Sequence, residues 1–357
     1  MEQIRVLVID DSAFMRKMIS DIIDSDPRLQ VIGTARNGET GIQKIRELSP
    51  DVVTMDVNMP VMDGISALQV IMRTNPVPVI MLSSQTANGT EETIKAIENG
   101  AVDFIMKPSG EISLNIDIIK NEIISKVIAA CHATLPSKET SRKANRMAVQ
   151  EKEFIQPRKS SNKRTIVILG TSTGGPRALQ KVLTNLPKDF KDPLLIVQHM
   201  PPGFTKSLAK RLDTLCHLHV KEAEHGELLK EKTVYIAPGD YHMRVEPRGT
   251  ELVINNMKDE PINSHRPSVD ALFESVSVLK NINKVAVVLT GMGSDGSDGI
   301  QKLKQTDENC IVISESEETA VIYGMPKAAY ETGAVDQVLP LEQVGEFLGK
   351  ITQSLMR

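Results

Sequence analysis

The stretch Ile166-Val167-Ile168-Leu169-Gly170-Thr171-Ser172-Thr173-Gly174-Gly175-Pro176 reads as a buried strand, a glycine-rich turn and a helix entered at proline. An unbroken aliphatic run suits a strand covered on both faces, which is how parallel strands lie in α/β sheets. Proline fits the first turn of a helix, where its missing N–H has no partner to lose. Strand, tight turn and helix in that order form the repeating unit of a doubly wound parallel sheet.

The same alternation recurs on both sides. Downstream lie Leu194–Val197, Val285–Leu289 and Cys310–Ile313, each followed by a helical pattern. Between residues 217 and 254 the pattern changes to short alternating runs, His217–Val220, Val234–Ile236 and Leu252–Ile254, separated by Pro and Gly. These predict a β-rich excursion within a doubly wound α/β domain. Upstream, Val6–Ile9, Val31–Ile32, Val52–Met55, Val77–Leu82 and Phe104–Met106 alternate with helical patterns such as Ser12–Ile23, Glu39–Leu48 and Glu91–Asn99. A long amphipathic segment, Ile112 to Ala130, closes the series. Five buried-type strands and their helices predict a second doubly wound sheet, a (βα)5 flavodoxin-like domain.

A chain of 357 residues suits two such domains. Residues 131–164 carry almost no apolar periodicity and hold nine Lys or Arg against three Glu, in a chain whose net charge is −4. They read as a basic interdomain linker, either a solvated spacer or a docking strip for an acidic partner. The expected division is therefore 1–130, 131–164 and 165–357.

Composition narrows the setting. Apolar residues make up 40% and charged residues 25%, which matches a globular protein. Cys131, Cys216 and Cys310 are scattered and form no CxxC pair, which suits a reducing compartment. Met1-Glu2-Gln3-Ile4-Arg5 runs directly into the first strand with no signal-peptide pattern. No apolar run approaches the ~20 residues that span a bilayer. The expectation is a cytoplasmic monomer with no membrane insertion. The negative net charge and the lack of a helix-turn-helix after the linker argue against nucleic acid and a DNA-binding regulator.

In open α/β sheets ligands bind beyond the carboxyl ends of the strands. Asp10 and Asp11 follow the first strand and Asp56 the third. Three converging carboxylates repel unless a cation joins them, and Mg²⁺, a hard ion that takes oxygen ligands, is the natural partner. Ser83 ends the fourth strand and Lys107-Pro108 the fifth. A hydroxyl and an ammonium are what an acyl phosphate on a central aspartate needs to hold its oxygens. The set Asp10-Asp11, Met55-Asp56-Val57-Asn58-Met59-Pro60, Met62-Asp63-Gly64, Ser83 and Lys107-Pro108 resembles the receiver domain of bacterial response regulators. That resemblance implies that Asp56 accepts a phosphoryl group from a histidine kinase, with Asp10, Asp11, Asp56 and the Asn58 carbonyl around Mg²⁺. It also places Phe104 where such domains carry a switch aromatic; a plain core Phe is the other reading.

In the second domain two mechanisms compete for the glycine turn. A glycine-rich turn into a helix N-terminus can cradle an anion. Gly170-Thr171-Ser172-Thr173-Gly174 also fits G-x-S-x-G, the elbow that exposes a nucleophilic serine. The GxxxGG spacing departs from the dinucleotide fingerprint, and no acid follows at the ribose position. A serine needs a base, and the base an orienting acid. His199 follows the next buried strand and so lies on the same sheet edge as Ser172, with His265 its one serious rival. Asp295 lies in the glycine loop after Val285–Leu289, again on that edge, with Asp298 a competitor. Backbone N–H groups of Met292 and Thr173 are candidate oxyanion donors. His217 and His219, near Cys216, could suggest a metal, but no fourth ligand stands at a regular spacing.

Taken together, Gly170–Pro176, Gln198-His199-Met200-Pro201, Ile236-Ala237-Pro238-Gly239-Asp240, His265-Arg266-Pro267-Ser268-Val269-Asp270 and Thr290–Gly296 resemble the chemotaxis protein-glutamate methylesterase (CheB) family. Only the linker carries no motif, and the family usually has Ala where Thr171 stands. The resemblance implies a Ser172-His199-Asp295 triad that hydrolyses γ-glutamyl methyl esters of chemotaxis receptors, releases methanol and deamidates receptor glutamines. Mg²⁺ serves the receiver alone, with no cofactor for the esterase chemistry. Phosphorylation is expected to relieve a receiver that covers the Ser172 cleft.

Overall fold

The structure is a computed structural model that describes residues 3–84, 86–107, 116–135 and 163–355. The chain divides into two compact units, Met1–Pro136 and Ser137–Arg357. Most of the expected linker, residues 136–162, lies outside the described residues, as do Pro108 and residues 112–115 of the expected closing segment.

The first unit alternates β1 (Ile4–Ile9), α1 (Ala13–Asp24), β2 (Leu29–Ala35), α2 (Gly38–Leu48), β3 (Val52–Asp56), α3 (Gly64–Thr74), β4 (Val79–Ser83), α4 (Ala87–Glu98), β5 (Asp103–Met106) and α5 (Ile116–Cys131). Its sheet is parallel in the order β2-β1-β3-β4-β5. Every residue of β3 and β4 is buried, as the unbroken apolar runs predict for strands covered on both faces. Helix starts follow side-chain caps: the Ser12 hydroxyl accepts from Met15 N, Asn37 Oδ1 from Thr40 N, and Asp63 Oδ1 from Ser66 N.

The second unit holds β6 (Arg164–Thr171), α6 (Gly175–Thr184), β7 (Leu194–Gln198), α7 (Phe204–Leu215), β8 (His219–Glu222), β9 (Thr233–Ile236), β10 (His242–Arg248), β11 (Glu251–Met257), α8 (Val269–Ser277), β12 (Ile282–Val288), α9 (Ser297–Thr306), β13 (Ile311–Glu315), α10 (Met325–Glu331), β14 (Gln337–Leu339) and α11 (Leu341–Leu355). Seven parallel strands run in the order β14-β13-β12-β6-β7-β9-β8. The chain starts at β6, builds outward through β7, and returns to build the other half from β12. Its topological switch point therefore lies between β6 and β12, where open α/β sheets bind ligands.

The β-rich excursion resolves into two kinds of strand. β10 and β11 form an antiparallel hairpin, whereas β8 and β9 join the parallel sheet. β8 is the edge strand and is partly exposed, so its alternation imitates an antiparallel strand. A core of Ile166, Ile168, Leu195, Val197, Tyr235, Val269, Leu272, Phe273, Ala286 and Val288 joins the sheet to α8 and the hairpin. Aromatics are few, and the aliphatic side chains of the central strands fill the layer.

Candidate functional site

In the first unit Ile9 pairs with Met55, so Asp10 and Asp56 leave adjacent strands at the same level. Carboxylate oxygens of Asp10, Asp11 and Asp56 all lie within 4.8 Å of one another, with Asp10 and Asp56 buried and Asp11 exposed. Lys107 Nζ lies 2.8 Å from Asp10 Oδ2 and 2.7 Å from Asp56 Oδ2. Burial pushes the Asp56 carboxyl upward more than Lys107 draws it down. For Lys107 burial acts to lower the ammonium, but its bonds to Asp10 and Asp56 outweigh that and hold it above the usual lysine value. Two buried acids sharing one ammonium with a third acid at the rim fit an oxygen-seeking divalent cation.

The other expected receiver residues are placed as follows. Asn58 donates its amide to Glu92 Oε2 at 3.0 Å. Ser83 Oγ donates to Gly89 O at 3.2 Å and accepts from Thr93 Oγ1 at 2.6 Å, so this hydroxyl faces α4. Phe104 is buried, and Lys126 Nζ stands 5.2 Å from its ring centroid.

In the second unit the register sets Val288 opposite Gly170 and Thr171 opposite Gln198. Ser172, His199 and the 289–295 loop therefore emerge side by side. Backbone bonds extend the ladder past the strand ends, from Leu289 N to Gly170 O, Ser172 N to Thr290 O and His199 N to Thr171 O. Gly291 lies so close to the elbow that a Cβ there would sit 2.8 Å from Ser172 Cβ. Gly293 and Gly296, both at positive φ, carry the loop onward to Asp295, and Gly296 caps α9.

His199 Nε2 lies 2.8 Å from Asp295 Oδ2. Its other nitrogen, Nδ1, is buried without a hydrogen-bond partner among the described residues. A ring whose Nε2–H is held by a carboxylate keeps its lone pair on Nδ1, where it can accept a proton. Asp295 Oδ1 also accepts from Ser268 Oγ (2.9 Å) and Asp270 N (3.0 Å), and Oδ2 from Val269 N (2.7 Å). Burial acts to raise this carboxyl, but the bond and charge of His199 and the amides at the start of α8 hold it well below the usual carboxylate range. Neighbouring Asp270 is pushed the other way, by burial and by the charge of Asp295.

His265, the rival base, stacks on His199 with ring centroids 3.8 Å apart and planes 14° from parallel. Asp298 is exposed in the first turn of α9, and Asp295 alone of the two meets His199. His217 bonds Pro187 O and His219 bonds Asp213 at the surface. Among the described residues only Asp10, Asp11 and Asp56 gather closely enough to hold a metal. Gly291 N–H is taken by Ile322 O, while Met292 N–H, the expected oxyanion donor, has no partner among the described residues. Thr173 is buried, and its carbonyl accepts from Thr290 Oγ1 at 2.9 Å.

Several supporting side chains take partners that their motifs do not disclose. Ser268 is the N-cap of α8, so its local sequence explains a cap but not its bond to Asp295, 27 residues away. Buried His242 accepts Ser268 N–H on Nδ1 and directs Nε2 to Glu260 O, which steadies the same turn. Thr171 Oγ1 donates to Thr290 O at 2.8 Å, which ties the elbow to the 289–295 loop.

Glu315, fully buried at the end of β13, accepts from Thr290 N (2.8 Å) and Thr319 Oγ1 (3.0 Å). Burial pushes its carboxyl up to about 7. An acid raised in the folded state binds its proton more tightly there than when unfolded. Its stabilising effect is complete below the ordinary glutamate value and disappears as pH rises through about 7. The shift corresponds to about 3 kcal/mol. Glu315→Gln should therefore melt higher than the native chain at pH 8 and lose that advantage at pH 5. Calorimetry of the full chain, with the transition of the first unit as internal reference, reads this directly; a native chain that gains stability from pH 5 to 8 relative to the variant refutes it.

Residues 167–348 match the family model described as CheB methylesterase, and residues 6–118 match that of the response regulator receiver domain. A protein of Oceanobacillus iheyensis named protein-glutamate methylesterase/protein-glutamine glutaminase is 54% identical over 350 residues, covering 98% of this chain and 99% of that one. A Bacillus subtilis protein of the same name is 49% identical over 347 residues, covering 96% of each. The crystal structure of the Thermotoga maritima CheB methylesterase catalytic domain is 45% identical, covers 53% of this chain and 98% of that one, and aligns with a TM-score of 0.50. No helix among the described residues is long and apolar enough to cross a membrane.

Proposed function

This chain belongs to the CheB methylesterase family and carries a response regulator receiver domain, and from that premise we propose that it removes methyl groups from γ-glutamyl esters of chemotaxis receptors by a Ser172-His199-Asp295 triad under phosphoryl control at Asp56. The observation that carries this reading is the Asp295 carboxylate, which meets His199 Nε2 at 2.8 Å on the sheet edge where the β6 elbow presents Ser172.

His199 Nδ1 takes the Ser172 proton as Oγ attacks the ester carbonyl carbon, and Asp295 stabilises the imidazolium through Nε2–H. Met292 and Thr173 N–H groups receive the oxyanion. Collapse breaks the acyl–oxygen bond, and His199 returns the proton to the methoxide, which leaves as methanol. Water, deprotonated by His199, then attacks the acyl-serine, the acyl–Oγ bond breaks to free the glutamate, and His199 returns the proton to Ser172 Oγ. Glutamine enters the same cycle with ammonia as leaving group, which gives the deamidase activity.

In the receiver, Asp56 accepts the phosphoryl group from a histidine kinase, and Lys107 pairs with the new oxygens. Asp10, Asp11, Asp56 and the Asn58 carbonyl would hold Mg²⁺, whose charge neutralises the incoming phosphoryl group. The domain division 1–130, 131–164 and 165–357 and action as a cytoplasmic monomer are part of the same proposal. Methanol release from methylated receptor membranes should rise roughly 5–150-fold on adding acetyl phosphate with Mg²⁺. Asp56→Asn should keep the basal rate and lose that rise. Absence of methanol release in both conditions would sink the esterase reading; an undiminished rise in Asp56→Asn would sink the switch.

A further inference from the structure

Gln198, the last residue of β7, is 2% exposed and lies directly before His199. Its Nε2 donates to Ser172 O at 2.9 Å and to His199 O at 3.1 Å. One carboxamide thus joins the main chain of the nucleophile to that of the base. Gly175 N–H donates to the same Ser172 carbonyl at 2.8 Å, so that acceptor is held from two directions. Gly175 also makes the room, because a Cβ there would overlap Gln198 Oε1. Oε1 itself is buried and makes no hydrogen bond among the described residues, so the amide donors, and not its acceptor, hold this side chain in place.

We propose that Gln198 is a positioning residue for the esterase, a clamp that fixes the separation of Ser172 from His199. The proposal rests on the triad reading above. Ser172 sits on a turn and His199 at the head of a loop, each just past the end of its strand. His199 N–H to Thr171 O is the neighbouring main-chain tie. Without the amide, the carbonyl oxygens of Ser172 and His199 each lose a donor, and the elbow and the 199–203 loop lose one of their ties. Misplacement of reacting groups by about 1 Å costs on the order of 10²-fold in rate. Glutamate at the same site has the same size but, when ionised, offers only acceptors to two carbonyls. Protonated, it can donate to one of them.

The test compares Gln198→Leu and Gln198→Glu in the full chain, with methanol release and labelling of Ser172 by an organophosphorus serine probe as readouts. Gln198→Leu should lower kcat and probe labelling about 10²-fold while KM stays within about twofold. Gln198→Glu should be as slow at pH 8 and gain rate relative to the native enzyme as pH falls toward 6. A purely structural loss would leave the shapes of the two pH profiles alike. Gln198→Leu with native kcat, or Gln198→Glu with a pH profile parallel to the native one, overturns the clamp. Failure of the underlying reading looks different: native chain not labelled at Ser172, or Ser172→Ala still active.

Discussion

Ser172→Ala will release no measurable methanol from methylated receptor membranes, a fall of roughly 10⁴- to 10⁶-fold, and will melt with the native chain. The two halves of that expectation have separate causes. Ser172 ties the elbow together through its main chain: its N–H donates to Thr290 O, and its carbonyl accepts from Gly175 N and Gln198 Nε2. Alanine keeps all three bonds and the turn geometry. What disappears is the one oxygen able to form the acyl-enzyme. Catalysis that bypassed the serine, by direct water attack from His199, would leave a substantial residual rate. Retention of more than a hundredth of the native rate would show that the acyl-serine is not on the path. Receiver phosphorylation should be unaffected, since Asp56, Lys107 and their neighbours lie in the other unit.

The parts of this molecule that the sequence discloses are those whose signal is local. Largely aliphatic runs followed at once or within three residues by Asp10, Asp56, Ser172 and His199 mark strands and the edge at which they end, because a buried parallel strand has no solvent-facing side to impose alternation. Sheet order turns that edge into a site, and the alternation of strands and helices puts Asp10, Asp56, Ser172 and His199 on it. β8 and β9 were harder, since an edge strand with one wet face alternates like half a hairpin, and only its pairing partner decides parallel from antiparallel. The roles of the supporting polar groups are not legible in the sequence, although Gln198 and Ser268 stand inside its motifs. Ser268 reads as a cap, Glu315 as a strand-end acid and Gln198 as a polar residue beside a histidine. Each acquires its role from a partner that the fold brings across, such as Asp295 for Ser268 and Thr290 for Glu315. Ser83 shows the converse: its position was legible, but its hydroxyl turns to Thr93 and Gly89 because α4 supplies the nearer partners.

Asp295→Asn will lower kcat on the order of 10⁴-fold, and unlike Ser172→Ala it will also destabilise the catalytic unit. The carboxylate accepts four hydrogen bonds, from Ser268 Oγ and Asp270 N on one oxygen and from Val269 N and His199 Nε2 on the other. An amide offers one oxygen and one NH₂. With the NH₂ toward Val269, a buried backbone donor is opposed by another donor. His199 must then accept on Nε2, so its proton moves to Nδ1 and the base is lost. With the NH₂ toward Asp270, the histidine tautomer survives, but Asp270 N–H is orphaned and no negative charge balances the imidazolium. Either arrangement leaves one main-chain N–H unpaired, at about 1–3 kcal/mol. The native carboxyl is held far below its ordinary value, so its contribution to stability is present above the ordinary aspartate range and is lost as pH falls below it. At pH 7 the variant should therefore melt lower than the native chain, and the gap should narrow in acid. The rate loss should not be recovered by acid, because protonating His199 removes the remaining lone pair. A variant with kcat within tenfold of native, or with an unchanged melting temperature at pH 7, would show that Asp295 neither orients nor charges the base.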